Sequence, residues 1–100
     1  MNDTIVAQAT APGEGGIAIL RISGEQAQDL LIKLFRPVSP LKMPPESHRL
    51  LYGHIVEDGE IIDECMAVFM RAPKTYTREN VVEFQLHGGQ AVVQHVLEMC

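Results

Sequence analysis

The chain is 100 residues long, 46% of them apolar, with thirteen acidic and eight basic residues for a net charge of −5. That length fits one small domain with a core of its own, residues 1–100. The acidic balance and the lack of a basic stripe argue against direct, non-specific binding of nucleic acid by this segment.

"DTIVAQAT" and "GGIAILRIS" are short β-branched stretches on either side of "APGEGG", so the spacing predicts two strands that pair across a tight glycine-rich loop. Ser23 followed by Gln26 has the spacing of a capping box, and Ala27, Leu30, Leu31, Leu34 and Phe35 recur on one face of the helix that would follow. From Arg36 to Glu46 the prolines Pro37, Pro40, Pro44 and Pro45 predict an extended surface connection rather than a regular element. "LLYGHIVEDGEIIDECMAVFMRAP" reads as two strands around the hairpin signal Asp58-Gly59, closed by Pro73. A further strand lies in "YTRENVVEFQLHGG", with Val82, Phe84 and Leu86 on one face and Val81, Glu83, Gln85 and His87 on the other. Gly88 and Gly89 break it, and Val92, Val93, Val96, Leu97 and Cys100 form the apolar stripe of a last helix. The order is β-β-α-β-β-β-α, an α+β domain with two helices against a mixed, largely antiparallel sheet. A helix that stops without a C-cap signal is expected in a fragment of something longer.

Several residue groups invite a chemical reading. The glycine loop lacks Gly-Lys-Ser/Thr, Ala18 stands where a dinucleotide fingerprint needs its third glycine, and Glu14 would repel phosphate, so a demanding hairpin loop is the better reading. Cys65 and Cys100 lack metal-ligand spacing, and no signal peptide or membrane-length apolar run is present; a reducing cytosol and no membrane are expected. His87 lies beside two glycines without companion ligands, which suits a ring hydrogen-bonded at a strand-to-helix turn better than a metal ligand. Met66, Met70 and Met99 read as core filler. No nucleophile-base pair or paired-acid arrangement stands out, so no catalytic residue and no metal site is assigned.

Arg21 and Glu83 stay open on residue grounds. The Arg21 guanidinium, on the face of Ile17 and Ile19, either snorkels past the sheet edge or meets an acceptor. The Glu83 carboxylate is either solvated or offers two coplanar acceptors to a ligand edge with two adjacent N–H donors, as in pterins and guanines.

"DTIVAQATAPGEGGIAILRISG" and "TYTRENVVEFQLHGG", in this order and at this separation, resemble the two signature segments of the N-terminal domain of the MnmE (TrmE) family of tRNA modification GTPases. The resemblance spans essentially the whole chain, the proline-rich middle contributing little. It implies a fold similar to the folate-binding module of aminomethyltransferase, placed before a helical domain and an inserted GTPase domain. It implies homodimerisation and binding of 5-formyl- or 5,10-methylene-tetrahydrofolate, the one-carbon donor for wobble uridine of tRNA. For the full-length protein it implies GTP, magnesium and potassium, and partnership with the flavoprotein MnmG (GidA). Arg21 of "ILRISG" and Glu83 of "ENVVE" match two family folate-binding positions, and a third, a lysine, would lie beyond Cys100. Glu14, Arg78 and Asn80 depart from the family's usual residues around these segments. A ligand-free dimerisation module and part of a folate-dependent aminomethyltransferase are the alternatives; a Gly-Lys-Ser/Thr loop downstream would separate the GTPase from the latter.

Overall fold

The computed structural model describes residues 4–9, 17–40, 45–72 and 79–100. Glu14, Pro44, Pro73 and Arg78, and with them the glycine loop and the shape of the segment before the last strand, lie outside the described residues. Elements follow the order β1 (Ile5–Gln8), β2 (Ala18–Ser23), α1 (Ala27–Leu34), β3 (Phe35–Pro37), β4 (Arg49–Glu57), β5 (Glu60–Met70), β6 (Val81–Leu86) and α2 (Gln90–Met99). The strands form one six-stranded sheet, β1-β2-β6-β5-β4-β3. Among the described residues every neighbouring pair of strands is antiparallel, so the sheet they form is not mixed and none of these strands pairs in parallel.

Alternation decides which face is covered. Leu20 and Ile22 of β2, Val82, Phe84 and Leu86 of β6, and Cys65, Ala67 and Phe69 of β5 are buried in one core with Ala27, Leu31 and Leu34 of α1 and Val93 and Val96 of α2. Each fully buried aliphatic or phenylalanine side chain contributes about 1.5–3 kcal/mol of transfer free energy, which makes this helix-covered face the main source of stability. Phe35 and Phe84 meet with ring centroids 6.1 Å apart, joining β3 to the centre of the sheet. The intervening residues of β2, β5 and β6 point to the helix-free face.

The β4–β5 hairpin turns through Asp58 and Gly59, both at positive φ (50° and 83°), as the Asp-Gly signal requires. A register shift between Ile55 and Val56 bends it.

Four expectations are corrected. Ser23 does not cap α1: it ends β2, its Oγ donates to Glu79 Oε2 at 2.9 Å, and the helix begins later, after Gln26. Phe35 belongs to β3 rather than to the helix, although its side chain is buried in the same core. The proline-rich connection opens as an edge strand, because Pro37 pairs at the border of the sheet, where a missing N–H leaves no inner ladder bond unmade. Met66 and Met70 are half-buried on the helix-free face, their parity on β5 being opposite to Cys65, Ala67 and Phe69; Met99 alone of the three packs against the core.

Candidate functional site

The antiparallel register of β2 and β6 sets Arg21 directly opposite Glu83, with Ile19 opposite Gln85 and Ser23 opposite Val81. Parity then puts all six side chains on the helix-free face. The Arg21 Nη2 donates to Glu83 Oε1 at 2.6 Å. Gln85 Nε2 lies 3.5 Å from the other carboxylate oxygen, Oε2. Glu83 is 15% exposed and Arg21 50%, so the acid is held in the sheet while the base reaches over it from the solvent side. A paired carboxylate beneath a half-exposed cation remains a strong acceptor pair for any donor that replaces the guanidinium.

The surroundings are apolar. Val68 of β5 lies beside Glu83, and Met66 beside Gln85. In the next strand Leu50 pairs with Val68 and Tyr52 with Met66. Leu50, Tyr52, Ile5 and Ile17 are each more than two-fifths exposed, so the ion pair sits within an open, largely apolar platform. At its far side Glu64 accepts a hydrogen bond from Tyr52 and, with desolvation and its own charge, pushes the Tyr52 phenol upward.

The strand-to-helix turn is built differently from the pair. His87 Nδ1 donates to the Glu64 carbonyl at 3.0 Å, the structural role anticipated for this ring. Asp63 Oδ2 accepts the backbone N–H groups of His87 and Gly88, at 2.7 and 3.2 Å. Gly89 caps α2 at φ +84°, and a Cβ on Gly88 would come within 2.4 Å of Val92. Asn80 Oδ1 accepts the Ala72 N–H at 2.9 Å and so ties the start of β6 to the end of β5.

Two clefts lie away from the ion pair: one of about 370 Å³ lined by Lys33, Leu34, Val56, Glu57, Asp58 and Met99, the other of about 310 Å³ lined by Ile61, Ile62, Ala91, Val92 and His95. Among the described residues no cluster of three His, Cys, Asp or Glu side chains is arranged to hold a metal ion. Burial pushes the Cys65 thiol up to about 12, assisted by the charge of Asp63, which leaves it protonated and inert as a nucleophile at neutral pH. No helix of the described residues is long and apolar enough to cross a membrane.

Sequence reasoning singled out Arg21 and Glu83, and the fold brings them together. It missed the part of Gln85, although period two along "EFQ" already placed its amide on the Glu83 face. It also missed Asp63, for which no local signal exists, because the N–H groups it accepts lie 24 and 25 residues away.

The model of the family described as "GTP-binding protein TrmE N-terminus" matches residues 4–100. Among curated proteins, the tRNA modification GTPase MnmE of Chloroflexus aurantiacus is 54% identical over 99 residues, covering 98% of this chain and 22% of that protein. The tRNA modification GTPases MnmE of Roseiflexus castenholzii and Listeria innocua are 49% and 50% identical, each alignment covering 97% of this chain and 21% of the relative. The chain thus spans about a fifth of the length of these relatives. With matched family segments running through both strands of the ion pair, the chain belongs to the family of the GTP-binding protein TrmE N-terminus.

Proposed function

We propose that this chain is the folate-binding, dimerising N-terminal segment of a cytoplasmic tRNA modification GTPase. The observation that carries the reading is the Arg21–Glu83 pair on an open apolar sheet face. A largely covered carboxylate supplies two coplanar acceptors, which suit the adjacent N–H donors of a reduced pterin. Arg21, half exposed and long, is free to turn toward acceptors elsewhere on 5-formyl- or 5,10-methylene-tetrahydrofolate. Met66 and Val68 offer an apolar surface beside the carboxylate. The folate, when bound, supplies the one-carbon unit for wobble uridine of tRNA. GTP hydrolysis with magnesium and potassium belongs to the rest of the longer protein, and MnmG (GidA) and tRNA are partners of that whole.

The test is titration calorimetry with 5-formyltetrahydrofolate on the wild type and Glu83→Ala. Loss of a charge-assisted hydrogen-bond pair, about 1.5–3 kcal/mol, should weaken binding roughly tenfold to a hundredfold. Equal affinities would remove Glu83 from the site.

A second reading, a homodimerisation module without a small ligand, is favoured by the exposure of Ile5 (61%) and Leu50 (51%) on the same face. A dimer whose melting temperature does not respond to 5-formyltetrahydrofolate would support it.

A further inference from the structure

Glu83 is not the only polar group offered to a ring edge. Gln85 follows it at the next outward position of β6, between the apolar cross-strand neighbours Ile19 and Met66. Its Nε2 already lies 3.5 Å from Glu83 Oε2, while Arg21 occupies Oε1 at 2.6 Å. The strand therefore presents two carboxylate acceptors followed by an amide donor. A 2-amino-4-oxo pyrimidine ring presents the complement along one edge: an amino N–H, a ring N–H and a carbonyl oxygen. The 2,4-diamino analogue presents donor, acceptor, donor, and mismatches the array at two of three positions.

We propose that Gln85 is a specificity-determining residue of this site, donating its carboxamide N–H to the ring carbonyl that neighbours the two donors gripped by Glu83. The inference rests on the folate reading. Binding is then an exchange: the ring donors take the Glu83 oxygens, the Arg21 guanidinium leaves Oε1, and the Gln85 amide passes from Oε2 to the ligand carbonyl. No hydrogen bond made in the free chain is lost without replacement, except that of Arg21, whose half-exposed side chain returns to water or to another acceptor on the ligand. A ring bearing an amino group in place of the carbonyl sets donor against donor at Gln85.

The experiment compares pterin and 2,4-diaminopteridine at neutral pH, where both rings are uncharged, by quenching of pteridine fluorescence. It uses the wild type, Gln85→Met and Glu83→Ala, with thermal melting to establish that each is folded. The wild type should prefer pterin by about tenfold or more, since the 2,4-diamino ring sets acceptor against acceptor at Glu83 and donor against donor at Gln85. Gln85→Met should bind pterin more weakly and cut the preference severalfold, leaving only the part that comes from the ring nitrogen facing Glu83. A wild type that binds both rings equally, or a Gln85→Met protein whose preference is undiminished from the wild type, overturns the role of Gln85; loss of pterin binding in Glu83→Ala would leave the folate reading standing. A wild type that quenches neither ring overturns both. The wild-type comparison needs no substitution, so a Gln85→Met protein that fails to fold does not shield the proposal.

Discussion

Arg21 and Glu83, 62 residues apart in the chain, are cross-strand neighbours whose side chains meet at 2.6 Å on the helix-free face of the sheet. The base is half exposed and the acid mostly covered, so the two contribute unequally to stability. An exposed pair is worth about 0.2–1 kcal/mol, whereas a carboxylate left without its partner in a covered position costs more than that. A double-mutant cycle with Arg21→Ala and Glu83→Ala should give a coupling of about 0.5–1 kcal/mol, and Arg21→Ala alone should lower the melting temperature by several degrees, at roughly 4–8 °C per kcal/mol for a domain this size. Strictly additive effects would mean that the two groups are solvated independently.

The turn into α2 depends on Asp63, whose carboxylate takes the N–H groups of His87 and Gly88. Asp63→Ala leaves both donors without that acceptor. Loss of comparable capping contacts costs about 0.5–2 kcal/mol, and the damage should be local. Hydrogen exchange at His87 and Gly88 is expected to accelerate in the variant, while the amides of β2 keep their protection. Uniform acceleration across the sheet would show that Asp63 supports the whole domain instead.

How much of this was legible follows from the range of each interaction. The outward placement of Glu83 and Gln85 came from period two alone, and the hairpin at Asp58-Gly59 from turn chemistry, because both are written in adjacent residues. That Arg21 faces Glu83 required the β2–β6 register, which no local pattern contains. The same limit explains Ser23: its hydroxyl had a capping-box neighbour at Gln26, yet a partner on Glu79, distant in sequence, engages it. Met66 and Met70 misled for a different reason. Both faces of β5 carry apolar residues, so hydropathy did not distinguish the helix-covered side from the open one.

Gly53 lies opposite Cys65 in β4–β5 and opposite Pro37 in β3–β4. A Cβ there would come within 2.2 Å of the Arg36 carbonyl oxygen and 2.8 Å of the Phe35 ring. The first contact is with backbone and has no rotamer to relieve it, so Gly53→Ala must push β3 outward and disturb the Phe35–Phe84 contact. Overpacking of this kind costs about 1–3 kcal/mol or more. The expected result is a lower denaturant midpoint; a midpoint within error of the wild type would show that β3 moves freely at the sheet edge.

Tyr52 and Glu64 connect the apolar platform to pH. The hydrogen bond to Glu64, then desolvation, then the charge of Glu64 raise the phenol above its ordinary value of 10.0. Ionisation of Tyr52 would both remove the donated proton and set two negative charges side by side. Because the folded value lies above the unfolded one, the unfolded chain loses its phenolic proton first as pH rises. Folding is therefore helped by this contact below the ordinary tyrosine value and loses that help as pH climbs past it. Glu64→Gln removes the carboxylate while keeping an acceptor oxygen, so its Tyr52 should ionise earlier than in the wild type. Phenolate absorbance during an alkaline titration reads this directly, and Tyr52→Phe identifies which part of the signal belongs to this residue. Superimposable Tyr52 titrations in the wild type and Glu64→Gln would mean that the carboxylate does not hold the phenol in solution.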